Sequence, residues 1–276
     1  MTASSQPSVI VIPGAWHLAS CLDPFIETLQ AAGFPAEGVT LRSVGDADSG
    51  ISDDEVLIRS RIESRIHAGE DVIVIAHSYA GLPMSAAIAG LAKRNRASRG
   101  EKGGVLGVVY LTAFVPLDGE SVVGLLGDLL WWMEEDVSFA FLVFILLHLY
   151  LHLLAKTEAR VIKVKENSPA EVFFNDCSPE QIAAVSSALK PHSKKSLASP
   201  ITTIGWRDSA YDGCRAYIRC LQDKALSIER QDAFVERSGV QWVVKTLDAS
   251  HSPFISMPQA LTVAVQEIAR DFRAAV

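Results

Sequence analysis

The chain has 276 residues, 49% of them hydrophobic and 21% charged, with a formal net charge of -7 at pH 7 and a mean hydropathy of +0.23. The high apolar content and the lack of a long low-complexity tract exclude global disorder. The acidic balance argues against nucleic acid as a partner, because phosphate binding needs a basic face. Ser8 to Ile12 is a short apolar run stopped by Pro13-Gly14 and reads as a buried strand. Cys21 to Ala32 has helical spacing, and Gly33 is placed to end that helix. Val39 to Leu41 is a short strand. Ser52 and Glu55 have capping-box spacing for a helix reaching about Ala68, with Gly69 as its stop. Val72 to Ala76 is another buried strand, and a helix is predicted from about Ala80 to Lys93. Arg94 to Gly104 is polar and reads as a loop, and Val105 to Phe114 is the strongest strand in the chain.

The alternation stops at Pro116 and resumes after Pro200 with strand Tyr217–Leu221, helix Ile228–Ser238, strand Gln241–Leu247 and helix Pro258–Ala274. Continuous apolar strands joined by helices predict an α/β fold. A mostly parallel sheet is covered by helices on both faces. The expected organisation is one domain, with core 8–116 and 200–276 and a helical lid, about 117–199, inserted between two strands. Cys21, Cys177, Cys214 and Cys220 lack CxxC spacing and read as free thiols. The first residues, Met1 to Pro7, lack a basic stretch and an apolar stretch, so a cytoplasmic location is expected.

Strand Val72–Ala76 runs directly into His77-Ser78-Tyr79-Ala80-Gly81 and a helix. A serine on such a strand-to-helix turn is a nucleophile elbow, which needs small residues around it because the backbones pass close. Ala76 and Ala80 stand where glycines are usual. A serine hydroxyl becomes a nucleophile only when a base takes its proton and a third group holds the base. Asp223 follows the next-to-last strand and His251 follows the last, the order and places expected of acid and base. All three then lie at the carboxyl ends of parallel strands, where open α/β sheets bind ligands. Asp208 and Asp212 precede their strand, and Asp248, three residues before His251, is the remaining rival acid. His77 reads as a packed residue, and His67 and His192 have no catalytic context. His148 and His152 share a helical face at i,i+4 but have no third ligand, so no metal is expected. The oxyanion donors are expected to be the backbone N–H groups of Tyr79 and of Ala15, in the turn after the first strand. Trp16, His17, Trp131 and Trp132 are expected to line the substrate pocket.

The segments VIVIPGAWHLASC, VIVIAHSYAGLP, YIRCLQDKALSIERQ and LDASHSPFISMP resemble the α/β-hydrolase superfamily. They are most similar to the branch of small plant and microbial esterases that includes methylesterases, salicylate-binding proteins and hydroxynitrile lyases. The resemblance covers about Ser8–Phe114 and Asn167–Ala274. It implies Ser78 as nucleophile, Asp223 as acid, His251 as base, Ala15 and Tyr79 as oxyanion donors, and no cofactor. Three positions depart from it: the two elbow alanines, Pro13 where many relatives carry His, and Ser252 where the cyanogenic lyases carry Lys. The expected activity is hydrolysis of an ester, thioester or lactone of a small apolar metabolite, and the resemblance implies a setting in secondary metabolism. Lyase or isomerase chemistry on the same residues, or a non-catalytic ligand-binding receptor, are the alternatives.

The excess hydropathy has an address. Val137 to Ala155 is 19 residues without a charge, and as a helix would span about 28 Å, close to a bilayer core. A single crossing would place Ser78 on one side of the membrane and Asp223 and His251 on the other, so the run is not expected to span. It reads as a lid helix over the pocket, as a contact with a membrane surface or a second copy of the chain, or as a translated intron foreign to the functional protein.

Overall fold

The computed structural model describes residues 6–136 and 160–276. The Val137–Ala155 run, with His148 and His152, lies outside the described residues. Among those described, six strands form one parallel sheet. They are β1 (Ser8–Ile12), β2 (Ala36–Gly38), β3 (Asp71–His77), β4 (Gly104–Leu111), β8 (Arg215–Cys220) and β9 (Val243–Leu247), in the order β2-β1-β3-β4-β8-β9. Every residue of β1 and β4 is buried, the mark of strands covered on both faces. β9 differs: as the outer strand it alternates between half-buried and exposed positions. The helix Ile51–His67 turns Ile58, Ile62 and Ile66, spaced four apart, into the core. The last helix, Pro258–Ala275, seats Phe272 on the bare backbone of Gly107 in β4, where a Cβ would stand 2.2 Å from its ring.

Register fixes where the chemistry can gather. Ile12 pairs with Ala76, His77 with Leu111, Leu111 with Ile218, and Cys220 with Leu247. The carboxyl ends of five strands therefore reach one edge together. The segments that follow them carry Ala15, Ser78, Thr112, Asp223 and His251.

Several local expectations are corrected. The short second strand is Ala36–Gly38, three residues earlier than Val39–Leu41. The cap of the helix Ile51–His67 is Gly50, whose N–H donates to Asp53 at 2.7 Å, in place of Ser52 and Glu55. The helix after the elbow is only Gly81–Ala87; Gly90 in the left-handed region (φ +73) turns the chain, and Lys93–Ser98 is a separate helix inside the expected loop. The insertion between β4 and β8 is not only helical. It contains an antiparallel sheet of β5 (Met133–Asp136), β6 (Val161–Val164) and β7 (His192–Ser193). No helix among the described residues is long and apolar enough to cross a membrane.

Candidate active site

Among the described residues, three that are not glycine have positive φ: Trp16 (66°), Ser78 (55°) and Thr112 (35°). Each follows one of the strands β1, β3 and β4 at the same sheet edge, and such strain gathers where function over-determines the backbone. Ser78 is left-handed because β3 must hand over within one residue to the 3-10 turn Ser78–Ala80 and the helix behind it. The close approach falls on Gly81, where an added Cβ would lie 2.1 Å from the Phe114 carbonyl oxygen. This explains why the turn tolerates Ala76 and Ala80: both are fully buried, but the helix crosses the next segment at Gly81.

His251 and Asp223 are joined. The His251 Nδ1 lies 2.6 Å from Asp223 Oδ2, and both residues are buried. The other carboxylate oxygen accepts the backbone N–H groups of Ala225 and Leu226, each at 2.8 Å, and Thr112 donates its hydroxyl to Oδ2. Four donors thus fix the carboxylate, and its bond to Nδ1 leaves His251 Nε2 as the nitrogen able to accept a proton. Asp248 is exposed and accepts from the Gln222 side chain at 2.8 Å, so it does not serve His251. The segment before His251 is held by Asp176, whose Oδ2 accepts the Ser250 N–H at 2.9 Å and the Ser256 hydroxyl at 2.8 Å.

Ser78 and His251 open into one cleft, together with Ala15, Trp16 and Tyr79. Neither the Ala15 N–H nor the Tyr79 N–H has an acceptor among the described residues. The walls are apolar and include Phe114, Val122, Leu126, Leu130, Trp132 and Phe173. Trp16 anchors the insertion to the core. Its Nε1 donates to the Ile162 carbonyl of β6 at 2.9 Å, and its ring meets Trp132 edge-on at 5.3 Å and stacks on Phe173 at 6.0 Å. Tyr79 points its hydroxyl away into the core, donating to Asp54 at 2.8 Å. Asp54 also accepts the N–H of Ser43 at 3.0 Å and its hydroxyl at 2.5 Å.

Two expected pocket residues are placed elsewhere. Trp131 is 61% exposed and turned to the surface, because its neighbour Trp132 takes the inward position just before β5. His17 is buried behind the cleft, packed edge-on against His77, Phe173 and Phe174, with its Nδ1 2.8 Å from the Ala15 carbonyl. Burial pushes its pKa down to about 4, so it is neutral. Thr112, Phe173 and Asp176 were not anticipated. Thr112 alone carried a signal, a polar residue at the carboxyl end of a buried strand. No group of three His, Cys, Asp or Glu side chains among the described residues is arranged to hold a metal ion.

Residues 9–265 match the model of the alpha/beta hydrolase family. A Phoma sp. protein named as a probable hydrolase is 28% identical over 277 aligned residues, covering 96% of this chain and 99% of its own. Methylesterase 7 of Arabidopsis thaliana is 24% identical, covering 98% of both chains. Among solved structures, a methylesterase from Arabidopsis superposes with a TM-score of 0.69 at 18% identity, covering 95% of this chain and 99% of that one.

Proposed function

This chain belongs to the alpha/beta hydrolase family, and from that membership we propose an esterase-type hydrolase in which Ser78, His251 and Asp223 form the catalytic triad. The observation that carries the assignment is the 2.6 Å contact between buried His251 and Asp223 in the cleft that also holds the left-handed Ser78.

In the proposed cycle, His251 Nε2 takes the Ser78 proton as Oγ attacks the ester carbonyl. The Ala15 and Tyr79 N–H groups receive the oxyanion. Asp223 keeps His251 in the right tautomer and balances the imidazolium charge. His251 then hands its proton to the departing alcohol, leaving an acyl-Ser78 ester. Water enters, gives a proton to His251 and attacks the acyl carbon. Collapse returns the proton to Ser78 Oγ and releases the acid.

The walls favour a substrate of one kind. Among the described lining residues, the Trp16 Nε1 and the Tyr79 hydroxyl are held by Ile162 and Asp54, which leaves Ser78 and His251 as the polar groups facing the cleft, so a charged substituent would lose its hydration without a partner. The substrate class is therefore an uncharged ester of a small apolar or aromatic metabolite. A fluorophosphonate probe tests the reading. The wild-type chain should be labelled and should release acid from para-nitrophenyl butyrate, and Ser78→Ala should lose both. Folded wild-type protein that resists the probe would refute the proposal.

A further inference from the structure

His77 makes two contacts that no step above uses. Its Nδ1 accepts the backbone N–H of Gly14 at 3.2 Å, and its Nε2 lies 2.8 Å from the backbone carbonyl oxygen of His251. The first contact requires an unprotonated Nδ1, and the second requires N–H at Nε2, since a carbonyl can only accept. One neutral tautomer satisfies both. Its surroundings keep it there: the ring is buried, 4.5 Å from the His251 ring and 4.9 Å from Phe254, and burial holds its pKa well below the usual histidine value.

The two contacts reach two different parts of the reaction. Gly14 immediately precedes Ala15, the proposed oxyanion donor, in a turn so tight that a Cβ on Gly14 would lie 2.8 Å from the Ser78 Cβ. The His251 carbonyl belongs to the residue whose ring must reach Ser78. His77 itself is the last residue of β3, rigidly paired with Leu111 of β4. One imidazole on the sheet therefore ties the turn after β1 and the segment after β9 to the strand that presents the nucleophile. We infer that His77 is a positioning residue for the ester-cleaving reaction, setting the Ala15 N–H and the His251 ring against Ser78 at once. The inference rests on the assignment of Ser78 and His251 as the reacting pair.

The two tethers can be separated by substitution. An asparagine oxygen can take the place of Nδ1 and accept from Gly14, whereas a glutamine amide reaches toward Nε2 and can donate to the His251 carbonyl. Leucine removes both. On para-nitrophenyl butyrate, His77→Leu should lower kcat on the order of 100-fold, with KM within about threefold of wild type, because misplacing groups by about 1 Å loses about that factor. His77→Asn and His77→Gln should each recover part of the loss, about tenfold, and the rate of fluorophosphonate labelling should follow kcat. Circular dichroism checks that the variants fold. Should His77→Leu fail to fold, the other two decide: a fall in kcat at unchanged KM in either supports the inference, and kcat within threefold of wild type in both overturns it. Equal losses in all three folded variants would mean that the ring only fills space, and would overturn it too. Ser78-dependent wild-type turnover with an unaffected His77→Leu overturns this inference alone. A wild-type chain indistinguishable from Ser78→Ala on the ester and the probe overturns the assignment beneath it as well.

Discussion

Asp223 and Asp248 both lie near the His251 segment, and their partners separate their roles. Asp223 is buried and touches His251 Nδ1 at 2.6 Å, whereas Asp248 is exposed and occupied by Gln222. Asparagine at 223 would present an amide where, in the proposed cycle, a carboxylate stabilises the imidazolium, and would disturb the tautomer that leaves Nε2 free. Asp223→Asn should therefore lower kcat by about 10⁴-fold, and His251→Ala by a similar factor. Asp248→Asn should stay within about twofold, since it removes only a surface contact. Steady-state kinetics on one chromogenic ester decides; a severe Asp248→Asn beside a mild Asp223→Asn would reverse the assignment. Ser78, Asp223 and His251 were legible because each follows a strand that the hydrophobic pattern reveals, so chain order alone gives their places. Thr112 and His77 were not legible in these roles. Their partners are 111 and 63 or 174 residues away, and only the register of the sheet, from β1 through β3, β4 and β8 to β9, brings them within reach.

The elbow is an element whose tolerance can be stated position by position. Ala80 carries a methyl the packing accepts, but Gly81 faces the Phe114 carbonyl with no room for one. Gly81→Ala must push apart two backbones, which should lower stability by about 2–3 kcal/mol. Ala80→Gly should cost only about 1 kcal/mol, through backbone entropy and a lost methyl. Urea midpoints of the two variants give the comparison; equal shifts, or a larger one for Ala80→Gly, would move the tight contact off Gly81. The core strands could be read from sequence because burial on both faces leaves unbroken apolar runs. The lid strands could not. β5 is Met-Glu-Glu-Asp with its glutamates exposed, and β7 is two residues long. They exist because neighbours hold them: the Lys165 N–H donates to the Trp132 carbonyl at 2.9 Å, Lys194 pairs with Glu135 at 2.6 Å, and Trp16 reaches the Ile162 carbonyl. Such contacts are tertiary and leave no period in the sequence.

At the scale of the whole molecule, three buried imidazoles couple folding to pH. Burial lowers His17 to about 4 and His192 to about 3, and holds His77 well below 6.5, whereas in the unfolded chain each titrates near 6.5. Above that value both states are neutral, and the full stability is present. As pH falls below 6.5 the unfolded chain takes up protons that the folded chain refuses. Each imidazole then removes about 1.4 kcal/mol of stability per pH unit, until its own folded-state pKa is passed. His17 therefore stops contributing near pH 4, and His192 near pH 3. Asp54 runs the other way. Burial raises its pKa despite the Ser43 and Tyr79 hydrogen bonds, so the folded state binds its proton first and regains stability on acidification. One carboxylate returns at most about 1.4 kcal/mol per pH unit against three imidazoles that each remove about as much, so the histidines dominate between pH 6.5 and 5. The urea midpoint should fall steadily from pH 7 to pH 5. His192 packs on Trp16 and Tyr79 and meets the Ser196 hydroxyl at 3.0 Å, outside the proposed triad. His192→Leu should make the decline shallower by about 1.4 kcal/mol per pH unit, whatever it does to stability at pH 7. A wild-type midpoint that is flat or rising over this range would show that these imidazoles do not govern acid stability, and an unchanged slope in His192→Leu would clear that residue in particular.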